Sequence, residues 1–264
     1  MIIVGELINA SRKEIAKAIK DKNEAVIRQI AKDQVENGAD FIDVNAGVFM
    51  DKEVDYLKWL VALVQKETGM PCCIDSPNPE AIEAALSIHQ GNAMMNSISY
   101  EKKRLDALLP VISGTDLRVI ALCMSDEGMP ETADDRLAVA DKLVNELVRN
   151  HVKPENIYID PLVQSISTNA GFGMECLNAI ERIMDTFKDC HTICGLSNVS
   201  YGLPARPLIN RTFMAMAIAY RLDAAIVNPL DKSMISCIRA AWALSGKDKF
   251  CMKYIKSWRE GKAA

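Results

Sequence analysis

Five short apolar runs in this chain each end in an aspartate or an asparagine. They are Phe41-Ile42-Asp43-Val44-Asn45, Cys72-Cys73-Ile74-Asp75, Ala93-Met94-Met95-Asn96, Ile157-Tyr158-Ile159-Asp160 and Ile193-Cys194-Gly195-Leu196-Ser197-Asn198. A short apolar run bounded by turn residues fits a strand buried on both faces. A carboxylate or amide ending such a strand is costly unless something hydrogen-bonds it. One such residue often just ties down a loop. Five at the same end of successive strands describe a polar cluster built to hold a ligand.

The chemistry of that cluster narrows the ligand. Glu6 and Asn9 extend it at the first apolar run, so it is rich in acids and amides and poor in cations. A phosphate would want Arg, Lys or a glycine-rich helix start, and that pattern is missing. A flat heterocycle with several N–H donors and one or two carbonyls fits better. A carboxylate takes two parallel N–H bonds from an amino-pyrimidine edge, and an Asn amide both donates and accepts. The 2-amino-4-oxo ring of a pterin has that edge, although sugars and purines share some of its demands.

Other chemistries find less support. The eight cysteines include no Cys-x-x-Cys pair, and Cys72, Cys73, Cys123, Cys194 and Cys237 lie within apolar stretches, as buried thiols do. His89, His151 and His191 fall at a helix end or just before strands, away from the polar cluster and without metal-ligand spacing. No protein-bound metal is expected, nor any Ser-His or Cys-His nucleophile pair.

The elements that must position these residues follow one repeating pattern. Apolar runs near 2–6, 40–45, 71–75, 92–96, 117–124, 157–160, 191–196 and 223–227 read as strands. Between them lie helical patterns, one with Ile27, Ile30, Ala31 and Val35 on a face and Gly38 as its stop. Others run near 52–67, 102–112, 173–187, 207–221 and 231–244, with a short terminal helix around 248–258. Asn78-Pro79 reads as a cap with proline at the first helical position, and Thr132-x-x-Asp135 as a capping box. Eight strands alternating with eight helices mean parallel strands and helical crossovers. With no linker and no Gly-x-Gly-x-x-Gly after the first strand, the expected fold is a single (β/α)8 TIM barrel over residues 1–264. In such a barrel the strand C-termini face the active site.

Composition agrees. The 264 residues are 49% hydrophobic and 25% charged, enough for one large core. A net charge of −4 and a pI near 5.5 argue against nucleic acid or an anionic membrane as partner. No apolar run approaches the roughly 18 residues of a membrane span, and Met1–Glu6 has no signal-peptide pattern, so a cytoplasmic protein is expected.

Several strings together resemble the pterin-binding methyltransferases. They are Gly5-Glu6-Leu7-Ile8-Asn9, Asp43-Val44-Asn45, Asp75-Ser76, Asn96-Ser97 and Asp160-Pro161-Leu162. The most specific are Gly195-Leu196-Ser197-Asn198-Val199-Ser200 and the following Arg206-Pro207-Leu208-Ile209-Asn210-Arg211. Within that group the chain is most similar to the 5-methyltetrahydrofolate:corrinoid/iron-sulfur protein methyltransferases, in one register along its whole length. The resemblance implies methyl transfer between N5 of 5-methyltetrahydrofolate and the Co(I) of a corrinoid (cobalamin) carried by a partner protein, in either direction. It implies a homodimer, and the cobalt as the one metal involved.

The resemblance also assigns roles. Asp75, Asn96 and Asp160 would anchor the pterin and Asn198 would reach N5. Glu6, Asn9, Asp43 and Asn45 would form the floor of the same network, with Asp43 and Asp160 as proton carriers; a purely structural Asp43 fits equally well. Arg206 would face the p-aminobenzoyl-glutamate tail, brace Asn198 or simply be a surface cation. N5 is a poor leaving group, so a hydrogen bond from Asn198 to its developing lone pair would be the catalytic contribution.

Two positions depart from the family: Tyr201 stands where relatives often have Gln, and Ser125 where acetogenic relatives tend to have Asn. The rivals are a dihydropteroate synthase-like enzyme and a non-catalytic folate-binding protein. The first would carry an Arg-Lys pair at the seventh strand, where this chain has Asn198-Val199, and a basic residue near Asn228-Pro229.

Overall fold

The computed structural model describes residues 1–261. Strand β1 (Ile2–Asn9) is followed by two helices, α1 (Lys13–Lys20) and α2 (Glu24–Glu36). β2 (Phe41–Asn45) leads through a 3-10 turn to α3 (Glu53–Thr68), and β3 (Cys72–Asp75) to α4 (Pro79–Leu86). β4 (Met94–Tyr100) precedes α5 (Lys102–Ile112), and β5 (Arg118–Ser125) precedes α6 (Ala133–Arg149). Then come β6 (Ile157–Asp160) with α7 (Phe172–Thr186), and β7 (His191–Gly195) with α8 (Arg206–Ala219). β8 (Ala224–Val227), α9 (Lys232–Leu244) and α10 (Met252–Arg259) complete the described chain. Neighbouring strands are parallel, and β8 pairs with β1 to close the (β/α)8 barrel.

The helix starts expected from sequence are built as read. Asn78 accepts from the Glu80 amide ahead of Pro79, and Thr132 and Asp135 cap one another's backbone reciprocally. The first crossover differs, because two helices fill it where one was expected. α1 has only eight residues, too few for a clear helical period, yet it buries Ile15, Ala18 and Ile19. β4 also outruns its expected end at Asn96. The segment Ser97-Ile98-Ser99-Tyr100 is serine-rich and reads as a turn, but Ser97 and Ser99 are buried in the sheet.

Alternation along each strand sets the interior. One side chain from every strand, from Val4 on β1 and Phe41 on β2 round to Ala224 on β8, forms an apolar plug inside the barrel. The opposite faces pack against the helices. Two residues further along, the same inward phase brings Glu6 on β1, Asp43 on β2, Asp75 on β3, Asn96 on β4 and Asp160 on β6 into a layer above that plug. On β1 the register shifts between Gly5 and Ile8. Gln34 of α2 fills the gap by accepting from the Leu7 amide at 3.0 Å, and a Cβ at Gly5 would lie 2.5 Å from the same Gln34 oxygen. The irregularity lets Asn9, an odd number of residues beyond Glu6, pair in register with Asn45 at the rim.

Candidate active site

The layer above the plug is an acidic well. Asn45 donates to Asp75 at 2.9 Å while its carbonyl oxygen accepts from the Gly47 amide. Asn96 donates to Asp43 at 3.4 Å, and the Cys73 thiol also bonds to Asp43. Asp160 accepts from the amides of Leu162, at 2.8 Å, and of Gly195. Glu6 lies close enough to Asp43 for their charges to interact, and Asn9 caps the Ser11 amide.

Burial shapes the electrostatics. It pushes the pKa of Glu6 up, with Arg12 opposing. Burial, then the Asp75 charge, drives Asp43 far above the usual carboxylate range and favours its neutral acid. Asp75 is also raised by burial, while its bond from Asn45 and the nearby Arg104 guanidinium hold it down. Asp160 is raised to about 6 by burial, against its two amide bonds and Arg136. The well thus pairs a carboxyl kept neutral with one that ionises near physiological pH, an arrangement suited to moving a proton.

Asn198 is placed differently from the other residues expected at strand ends. It sits beyond β7 on a 3-10 turn (Leu196–Ser200), and it is exposed. Glycine at position 195 and serines at 197 and 200 favour a tight turn over continued strand, which is why the strand stops short of Asn198. Arg206 braces that turn, donating to the Ser197 carbonyl at 2.8 Å and to the Ser200 hydroxyl at 3.0 Å. From the other side Ile166 donates its amide to Val199, and the hydroxyls of Ser165 and Ser167 both donate to the Tyr201 carbonyl. The Tyr201 side chain is exposed at the rim, and Ser125 lies half-buried at the end of β5.

Three groups behind the well were not singled out by sequence. Glu53, buried at the start of α3, accepts from the Ser76 hydroxyl at 2.5 Å. Arg104 and Arg136 donate to main-chain carbonyls next to the expected anchors. Helical position hides them, since a cation in a first turn runs against the helix dipole but reads as an ordinary surface residue. The histidines lie where expected. His89 accepts from the Cys72 amide below β3, and His191 pairs with Asp223 at 2.6 Å beneath β7. Six cysteines are buried; Cys237 is only partly so, and Cys251 is exposed. Among the described residues no three His, Cys, Asp or Glu side chains are grouped to hold a metal ion. A separate cavity of about 210 Å³, between Met1, Asp40, Trp242 and Tyr254, lies at the other end of the barrel.

A closed barrel whose polar residues gather at the strand C-termini defines a ligand-binding enzyme of the TIM class. The chain belongs to the pterin-binding enzyme family, whose profile matches residues 5–228. It is 37% identical to the methylcorrinoid:tetrahydrofolate methyltransferase of Eubacterium limosum, over 99% of this chain and 97% of that protein. It is 28% identical to methionine synthase of Mycobacterium tuberculosis, over 86% of this chain and 20% of that much longer enzyme. The fold is also that of a dihydropteroate synthase from Coxiella burnetii, solved with pteroic acid. That structure aligns with a TM-score of 0.70 at 16% identity, covering 92% of this chain and 93% of the other.

Proposed function

We propose that this chain is a methyltransferase moving a methyl group between N5 of tetrahydrofolate and the cobalt of a corrinoid held by a partner protein. The observation that carries this reading is the acidic well, in a chain 37% identical along nearly its whole length to a protein named for that activity. Asp75, Asn96 and Asp160 take the pyrimidine edge of the pterin, and Glu6, Asn9, Asp43 and Asn45 hold those three in place. Asn198, at the mouth, meets N5. Arg206 acts as its brace, which the two bonds to the Ser197–Ser200 turn support.

The name of the Eubacterium protein puts methylcorrinoid first, and we take that direction here. The N5 lone pair bonds to the methyl carbon while the cobalt–carbon bonding pair stays with the cobalt. The proton that N5 sheds passes to solvent through the network of the well, where Asp160, ionising near pH 6, is suited to relay it. Asn198 orients N5 and stabilises the charge change without forming a covalent bond. A dihydropteroate synthase activity is disfavoured, because Asn198-Val199 leaves no basic pair at the seventh strand.

The same reading makes residues 1–264 one pterin-binding domain, acting in the cytoplasm as a homodimer. Among the described residues no helix is long and apolar enough to cross a membrane. An apolar groove between α7 and α8, with Met174, Leu208 and Met216 exposed along it, offers the dimer a face. The test is spectroscopic: purified protein, reduced cobalamin and methyltetrahydrofolate, then methylcobalamin and tetrahydrofolate, followed at the Co(I) absorbance. Methyl transfer in neither direction would sink the proposal.

A further inference from the structure

Arg104 sits in the first turn of α5, outside the well, and spends its donors on the peptide groups that follow two of the expected anchors. Its Nε donates to the Ser97 carbonyl at 2.8 Å, with one terminal nitrogen also on that oxygen. That nitrogen reaches the Ser76 carbonyl at 3.0 Å, and the other reaches Pro77 at 2.9 Å. Ser76 and Pro77 follow Asp75 directly, and Ser97 follows Asn96. Asp75 and Asn96 are already paired in register across β3 and β4, where the Ser76 amide donates to the Asn96 carbonyl. One planar cation therefore ties the end of β3 to β4 beyond the point where the ladder between them stops.

The same device recurs around the mouth. Arg136, fully buried on α6, donates to the carbonyls of Pro161 and Leu162, directly after Asp160. Arg206 does so beside Asn198. Arg104 is the most instructive of the three, because it bridges the residues after two anchors at once and places its charge beside one of them, as Arg136 does beside Asp160. Facing Asp75 are Asn45 and Asp43 from β2, Glu53 from α3 and Arg104 from α5, so Arg104 is the cation among acids and an amide.

We propose that Arg104 is a positioning residue that holds Asp75 and Asn96 as one rigid edge for the pterin and sets its positive charge beside Asp75. The proposal rests on the reading of Asp75 and Asn96 as pterin anchors. Its two functions are separable by chemistry. Lysine keeps the charge but cannot span three carbonyls as a guanidinium does. Glutamine lacks the charge, so Asp75 would take up a proton at higher pH and lose acceptor capacity there.

The experiment measures methyltetrahydrofolate affinity by calorimetry from about pH 5.5 to 8, with kcat and KM for methyl transfer. Arg104→Lys should weaken affinity roughly tenfold, about the worth of a lost hydrogen bond. Its KM should rise, kcat should stay within a few-fold of wild type, and the pH profile should be unshifted. Arg104→Gln should weaken binding further, with the acid-side loss displaced to higher pH. On an Asp75→Asn background that displacement should vanish. If Arg104→Gln does not fold, Arg104→Lys decides the matter alone. Wild-type affinity in Arg104→Lys, or a fall in kcat with KM unchanged, would overturn the role of Arg104. A wild-type protein that binds no methyltetrahydrofolate would overturn the reading of the site itself.

Discussion

Asn198 and the carboxylates of the well differ in what surrounds them, and on the proposed function that difference separates catalysis from binding. Asp75 and Asp160 are held by protein donors, at 2.9 Å from Asn45 and 2.8 Å from the Leu162 amide, so their geometry is set before a ligand arrives. Asn198 is exposed on a braced turn, where the proposed function has its amide meet N5. Asn198→Ala should therefore slow the chemical step on the order of 10²- to 10³-fold, as loss of one oxyanion-hole donor does. Folate affinity should change much less. Single-turnover stopped flow beside equilibrium binding separates the two; a normal rate with badly weakened binding would make Asn198 another anchor. For the anchors themselves, Asp75→Asn and Asp160→Asn should each cost about 1.5–3 kcal/mol of affinity, the worth of a bond to a charged group. Wild-type binding should also weaken as pH falls below about 6, because protonated Asp160 has lost acceptor capacity for the pterin N–H groups. Calorimetric dissociation constants that stay flat from pH 7.5 to 5.5 would contradict this.

At the scale of elements, the turn after β7 should be as sensitive as the residue it carries. Arg206→Ala removes both bonds to the Ser197–Ser200 turn but leaves the well intact. It should lower kcat by about tenfold, in line with the loss of one or two hydrogen bonds, while folate affinity holds. A large rise in the folate dissociation constant would instead put Arg206 on the tail of the substrate. The contrast explains what could be read from sequence. Strands ending in Asp43–Asn45, Asp75 and Asp160 were legible because period-two burial admits few residues and polar ones stand out. α1 was not, being too short for a helical period, and Ser97–Tyr100 hid in a strand because its serines mimic a turn. In sequence Asn198 reads as ending a strand, whereas it lies on the turn beyond it. Arg104, Arg136 and Glu53 escaped because their role lies in carbonyls and hydroxyls brought close by β-strand ladders, which no local pattern encodes.

Across the whole molecule the well carries a cost that folding must absorb. Burial raises the pKa of Glu6, Asp43, Asp75 and Asp160 together, so folding works against the charged form of each. A carboxyl whose folded pKa lies above its unfolded value contributes stability below the unfolded pKa and loses it as pH rises through the folded one. For Asp160 that window runs from an ordinary value of 3.8 to about 6. The loss amounts to about 3 kcal/mol across it. His89 works the other way, since burial lowers its pKa and favours the neutral ring as pH rises. The informative quantity is therefore the difference between wild type and Asp160→Asn, in which a distant His89 cancels. Asp160→Asn exchanges one carboxylate oxygen for an amide nitrogen, a handicap that does not vary with pH. Relative to wild type, the variant should gain stability steadily from about pH 4 to 6 and level off above that, as the wild-type carboxylate ionises in place. Denaturant unfolding without ligand at several pH values measures this. Folate should then return the lost stability to wild type more than to the variant, because tighter binding to the folded state stabilises it by mass action. Parallel pH profiles for the two unliganded proteins would show that Asp160 titrates as an ordinary carboxylate.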